Sequence, residues 1–260
     1  MRPLTAGKAL EAWEQGQRSD LSDRALALLA AALPEVDRER LARLPIGRRD
    51  ALLMRLRERT FGSVVKGFSQ CPQCNTRLEF PLDLRGYDVE SNLRRRVSTG
   101  SLSAEGFEIR FRLPDGSDLS EISMFPEPEA ARRFLAERCI LSAEREGRPV
   151  SAWELPDTVL ERLGAAMEEL DPMAYLPLSI DCARCHHQWL VLLDIGTMLW
   201  QEISVSAERL LQDVHTLATA YGWSESEILG MSDARRRFYL QQIPQQPAAQ
   251  AAPAKRPPAR

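Results

Sequence analysis

Two fourteen-residue segments, "CPQCNTRLEFPLDL" (71–84) and "CARCHHQWLVLLDI" (182–195), constrain what this chain can fold into more than any other feature. Laid over one another at an offset of 111 positions, they share Cys71/Cys182, Cys74/Cys185 and Asp83/Asp194. They also carry apolar residues at the same alternate positions: Leu78/Trp189, Phe80/Val191, Leu82/Leu193 and Leu84/Ile195. Strict alternation of this kind is the period of a half-buried strand, so each segment reads as a C-x-x-C turn running into a strand. One such turn presents two thiolates to a metal, and two complete the closed tetrahedral site of structural zinc. Cys71, Cys74, Cys182 and Cys185 are therefore the expected ligands of a structural Zn2+, with His186 or His187 as substitute ligands in a variant of the site. In a compact ribbon the two halves lie roughly 15 to 20 residues apart. Here 107 residues separate Cys74 from Cys182, so the ribbon is expected to be split by an inserted module. Loop-closure cost grows only logarithmically with length and permits this. Thioredoxin-like redox chemistry fits less well, because its C-x-x-C opens a helix within a βαβ unit and here each pair opens a strand.

The rest of the chain has enough apolar material, 44% of 260 residues, for a large core or two smaller ones. A net charge of −3 gives no general attraction to nucleic acid or anionic membrane. No stretch has the 18 or so apolar residues that span a bilayer, and "MRPLTAGKALEAWEQGQ" lacks the apolar run of a leader, so a cytoplasmic protein is expected. "DLSDRALALLAAALPEV" reads as a capped helix stopped by Pro34, Asp37 caps a short helix through Leu41 and Leu44, and Pro45 opens a third with Ile46, Leu52, Leu53 and Leu56 on one face. "FEIRFRLPDGSDL" predicts a strand from Phe107 to Leu113 ended by an Asp115-Gly116 turn, and helices follow over Glu127 to Glu146 and Pro156 to Leu170. Cys139, beside Phe134 and Leu135, is expected in the core. The predicted fold class is α+β: helical N- and C-terminal units (1–66 and 201–243) around a small split zinc-ribbon-like β element (67–90 and 178–200) with a mixed α/β insert (91–177). The Pro/Ala/Gln-rich tail 244–260 has nothing to bury and is expected to be disordered and dispensable.

A second internal correspondence, at an offset of 187, pairs Leu41/Ile228, Leu44/Met231, Pro45/Ser232, Arg48/Arg235, Arg49/Arg236 and Leu53/Leu240, with Asp37 facing Ser224 as helix cap. Both segments read as cap, short helix, break and Arg-Arg helix, so the chain runs helical unit, knuckle, insert, knuckle, helical unit. The C-terminal copy also outlines a helix-turn-helix, with Ser224 and Glu227 as a capping box and Arg235, Arg236 and Arg237 available to phosphate. Its acidic residues, Glu225 and Glu227, and the acidic chain balance weigh against that reading, which stays as the alternative function: a zinc-ribbon/helix-turn-helix nucleic-acid-binding protein. The catalytic inventory is thin. There are three histidines, no nucleophile elbow, no phosphate-binding glycine loop and no H-E-x-x-H, and His215 reads as a packed core histidine. A closed zinc site has no open position for water, so no enzyme is expected.

Taken in order, "RALALLAAALPEV", "LPIGRRDALLMRLRERTFG", "CPQCNTRLEFPLDL", "FRLPDGSDL", "CARCHHQWLVLLDI", "MLWQEI" and "RLLQDVHTLATAYGWSESEILGMSDARRRFYL" resemble the baseplate protein family of T-even-type contractile-tailed phages and their prophage or phage-tail-like injection relatives. The resemblance covers residues 20 to 242, and Trp200 to Leu240 is its most specific part. It implies a structural or assembly component of the baseplate hub region, without enzymatic chemistry, whose partners are baseplate or hub proteins of a contractile tail, with no membrane and no nucleic acid. It places the protein in the bacterial cytoplasm during assembly, with the baseplate of the finished particle as its further location. The aromatics at the C-terminal helix break are the natural contact residues, so Tyr221, Trp223, Ile228, Arg235 and Tyr239 are the expected partner-binding set.

Overall fold

Thr5 and Asp20 turn their side-chain oxygens onto the free N–H groups of Lys8 and Asp23, and helices α1 (Ala6–Gly16) and α2 (Leu21–Ala32) begin directly after them. Asp37 does the same for the short α3 (Arg38–Ala42), and Pro45 opens α4 (Ile46–Phe61). The computed structural model describes residues 1–243, so the tail 244–260, expected to be dispensable, lies outside the described residues. The chain divides into a unit of Met1–Ala207 and a second one from Glu208 onward.

In the first unit, β1 (Val64–Gln70) and β2 (Arg77–Asp83) form an antiparallel hairpin, followed by α5 (Val89–Arg94). Next come β3 (Thr99–Ala104), β4 (Phe107–Arg112), α6 (Gly116–Ile122), α7 (Pro128–Cys139), β5 (Ile140–Arg145), β6 (Arg148–Pro149) and α8 (Asp157–Leu170). A second hairpin, β7 (Pro177–Asp181) with β8 (Gln188–Leu192), leads into α9 (Ile195–Tyr221). Two cores result. Leu28, Leu29, Leu53, Met54 and Leu56 of α2 and α4 meet Leu193, Ile195, Leu199 and Ile203, while Phe107, Ile109 and Phe111 of the antiparallel sheet β3-β4-β5-β6 meet Val159, Leu160 and Leu163 of α8.

The fold is α+β, and it corrects three local expectations. The helix expected over Glu127 to Glu146 stops at Cys139, and Ile140–Arg145 is a strand because it hydrogen-bonds along β4. The Asp115-Gly116 pair starts a helix instead of closing a turn: Asp115 and Asp118 cap α6 reciprocally. His215 is exposed, not packed. Helix α1 and strands β1, β3 and β7 add elements that periodicity did not mark.

Close backbone approach fixes one glycine. The Gly47 N–H donates to Asp171 Oδ2 at 2.7 Å, and a Cβ there would lie 2.2 Å from Asp171 Oδ1 and 2.6 Å from the Ala174 nitrogen. Gly47→Ala is therefore expected to cost about 1–3 kcal/mol by overpacking. Denaturant melts measure this, and an unchanged midpoint would contradict the contact.

In the second unit, Ser224 and Glu227 form a capping box for α10 (Glu225–Leu229), and Ser232 caps α11 (Asp233–Gln242). These helices begin 187 positions after α3 and α4, and α10 has the same five-residue length as α3. The break between them is also the same. Leu44 N–H donates to the Leu41 carbonyl at 3.3 Å and Met231 to Ile228 at 3.1 Å, while Arg49 donates to Pro45 at 2.9 Å and Arg236 to Ser232 at 3.0 Å. The internal correspondence is a repeated local structure.

Candidate metal centre

Each C-x-x-C segment closes its hairpin with the same turn. Cys71 N–H donates to the Thr76 carbonyl at 2.9 Å and Cys182 N–H to His187 at 3.0 Å; Asn75 N–H donates to Cys71 at 2.9 Å and His186 N–H to Cys182 at 2.8 Å. Asn75 and His186 sit in the left-handed region at φ 57° and 56°, where Asn and His are among the side chains tolerated best. The strands share one register as well: Gln70 faces Arg77 as Asp181 faces Gln188, and Gly67 faces Phe80 as Leu178 faces Val191. The alternate apolar rows point inward on β2 and β8. Asp83 and Asp194 then cap the turns that follow, each accepting a backbone N–H, from Arg85 at 3.1 Å and Thr197 at 2.9 Å.

The two turns meet tip to tip. Cys71 Sγ lies 3.6 Å from Cys185 Sγ, and Cys74 Sγ lies 3.6 Å from Cys182 Sγ. Exchanging the hairpins turns one contact into the other, as at a local twofold axis. All four sulfurs lie within 4.8 Å of one another, and none is in a disulfide. Four sulfurs at about 2.3 Å from a central zinc stand about 3.8 Å apart, so the observed spacing suits a tetrahedral metal. Cys71 and Cys182 are buried, Cys74 and Cys185 partly so.

The electrostatics favour a cation. The Thr76 hydroxyl, 3.2 Å away, and the Thr76 backbone N–H hold the Cys74 thiol down at about 6. The His187 N–H acts in the same direction on Cys185, but burial and the neighbouring Cys74, Cys71 and Cys182 sulfurs outweigh it and push that thiol up to about 12. Four thiolates this close repel one another, and a central dication removes the repulsion. Thr76 is a residue that the sequence reading missed; only its place two positions after Cys74 signals it. The assembled group consists of the four cysteines. His186 occupies the turn position and the His187 ring stacks on Trp189 with centroids 6.0 Å apart. Cys139 is fully buried elsewhere, its thiol raised to about 12 by burial and by Asp118.

The remaining predicted residues gather in the second unit. Tyr221 stacks on Trp223 at 4.5 Å between centroids, and Tyr239 sits edge-on to both, at 5.8 and 4.8 Å. Arg235 is exposed and lies over the Tyr239 ring at 5.7 Å. Ile228 is fully buried, so, unlike the other four, it offers a partner no surface of its own.

These features define an α+β protein with four cysteines positioned to bind a metal ion, in which no helix of the described residues is long and apolar enough to cross a membrane. Residues 6–200 match the protein family described as T4 bacteriophage base plate protein, and the chain belongs to that family. Its class is thus that of a structural protein of the phage baseplate. The match ends at residue 200, so the stretch from Trp200 to Leu240, on which the sequence resemblance leaned most, lies beyond the matched residues in all but its first residue. Neither the curated proteins nor the solved structures give a significant match.

Proposed function

We propose that this chain is a structural or assembly component of the hub region of a contractile-tail baseplate, in a phage, a prophage or a phage-like injection system, and that it acts by protein–protein contacts. The family match carries the reading. In this reading Cys71, Cys74, Cys182 and Cys185 hold a structural Zn2+ that ties the two hairpins into a split zinc-ribbon-like element (67–90 and 178–200). In chain order the two halves of that element separate the N-terminal helical unit (1–66), the insert (91–177) and the C-terminal helical unit (201–243). The C-terminal unit docks baseplate or hub proteins through Tyr221, Trp223, Arg235 and Tyr239, while Ile228, fully buried, takes part only as interior packing. Assembly takes place in the bacterial cytoplasm, and no chemistry is catalysed.

The nucleic-acid alternative finds less support in the second unit. Arg236 is buried, donating to the Met231 carbonyl at 2.6 Å, and Arg237 is ion-paired with Asp233, which leaves Arg235 of the three to meet phosphate. Expressing the tail gene cluster with a tagged copy of this chain tests the proposal. Tail proteins are expected to co-purify, and deletion of the gene is expected to stop baseplate completion. Complete contractile particles without the chain would overturn the proposal, and tight duplex-DNA binding with steep salt dependence, lost in Arg235→Glu, would put the alternative in its place.

A further inference from the structure

We infer that the two half-sites of the metal centre, alike in ligands, are unequal in hold, so that Cys185 is the ligand an electrophile takes first and its hairpin is the half that lets go; the inference rests on the zinc reading proposed above and adds to it. Each turn has one buried sulfur, Cys71 or Cys182, and one partly buried, Cys74 or Cys185. Burial therefore does not separate the two hairpins. What separates them is the hydrogen bonding around the sulfur. Cys74 and Cys185 each face the backbone N–H two residues on, that of Thr76 or His187. Cys74 has a hydroxyl as well, Thr76 Oγ1 at 3.2 Å. The residue 111 positions after Thr76 is His187, whose ring lies against Trp189 with centroids 6.0 Å apart and brings Cys185 no hydroxyl. A hydroxyl donated to an anionic sulfur draws on the electron pair that an electrophile needs, and bonds of this kind also fix the ligand on its metal.

The first turn is also the stiffer one. Gln70 Nε2 donates to the Asn75 carbonyl at 3.2 Å and so ties the end of β1 to the turn itself. Asp181, which takes the place of Gln70 in the second hairpin, instead accepts from Gln188 on the opposite strand at 3.2 Å, a bond between strands that leaves the turn alone. Pro72 fixes φ inside the first turn, where the second has Ala183. A turn with fewer accessible conformations loses less entropy when it closes on an ion, so its sulfurs stay in place more of the time. Stiffness and the added hydroxyl act in the same direction: Cys71 and Cys74 keep the ion, and Cys185 is the ligand left least protected.

The probe is iodoacetamide in limiting amount, added to the full zinc-loaded chain. The sulfur's electron pair forms the new S–C bond, iodide leaves, and the thioether that remains is neutral and a far weaker ligand. Mass spectrometry of timed digests reads each cysteine, and a colorimetric chelator reads the zinc set free. Cys185 is expected to be modified several-fold ahead of Cys74, with zinc release in step. Thr76→Val is expected to shrink that lead and to weaken zinc binding about tenfold, and Thr76→Ser to preserve both. His187→Thr, which offers Cys185 the missing hydroxyl, is expected to slow its modification; melting curves verify that each loaded variant is folded. Modification of Cys74 as early as Cys185, or a Cys185 lead that Thr76→Val leaves untouched, overturns the inference while the zinc reading stands. A chain that never holds metal, and alkylates alike with and without chelator, overturns both.

Discussion

Replacing any one of Cys71, Cys74, Cys182 or Cys185 by Ser is expected to strip zinc from the purified chain and to lower its melting temperature in the same preparation. The size of the effect follows from what the hairpins lack. Each is an isolated two-stranded sheet, which is marginal alone in water, and each leaves large apolar side chains outward, Phe68 at 71% and Leu190 at 68% exposure. A structural zinc site supplies on the order of 10 kcal/mol of folding free energy, and three thiolates hold the ion much less well than four. Cys139→Ser is expected to leave the metal content unchanged, because that thiol is buried in a different part of the first unit. Elemental analysis with thermal melts tests this. Protein purified without chelator and free of zinc, or a single serine variant that keeps both its metal and its stability, would refute the assignment.

The second large effect is expected at Asp118, which is fully buried. Its carboxylate accepts two hydrogen bonds from Arg112, at 2.6 and 2.8 Å, one from Arg138 Nε at 2.7 Å and one from the Asp115 N–H at 2.9 Å. Burial alone would raise its pKa, but Arg112, the Asp115 N–H and Arg138 together hold it below the usual carboxylate value. Asp118→Ala leaves Arg138 without its carboxylate and Arg112 with Asp115 alone at 3.8 Å, and removes the reciprocal half of the α6 capping box, so a loss of about 3–5 kcal/mol is expected. The pH dependence has a definite sign. A carboxyl with a depressed folded-state pKa contributes its stability above the unfolded value, near 4, and loses it as pH falls through the folded one. Asp50 has the opposite shift, raised by burial against the opposing Arg49, so its contribution is present at low pH and is lost as pH rises through its folded value. Asp118→Asn is therefore expected to flatten the acid limb of a stability profile below about pH 4; an acid limb as steep as that of the parent would count against this role.

What could be read from the residues was whatever depends on short range. The caps at Asp37, Pro45 and Ser224, the break after Ile228 and both thiol pairs are local chemistry, and the structure shows each in place. Strand β5 was not legible, because of "ILSAER" only Ala143 is buried and the segment continues an arginine-rich helix without a breaker; its strand character comes from pairing with β4, a partner some 30 residues away. Strand β1 hides for a related reason: Gly67 at its centre has no side chain to mark a period, and the space beside it is filled by the Phe80 ring of the opposite strand. At the metal centre the ligands were evident from type and spacing, whereas Thr76 acquires its role only once the turn brings its hydroxyl onto Cys74.

The likeness of the two hairpins bears on how copies of this chain behave when crowded. Each hairpin brings half a coordination shell, and the halves agree in turn, register and sulfur spacing. Ligand chemistry therefore cannot tell the hairpin of one copy from that of its neighbour; what favours the partner on the same chain is the folded insert between them and the core that Leu82 and Leu84 share with Leu178 and Leu193. A chain that takes up its ion while dilute closes on itself. One that meets the ion after many copies have been gathered at one place is free to exchange hairpins with those beside it, so the timing of metallation would choose between a self-contained subunit and a stapled cluster.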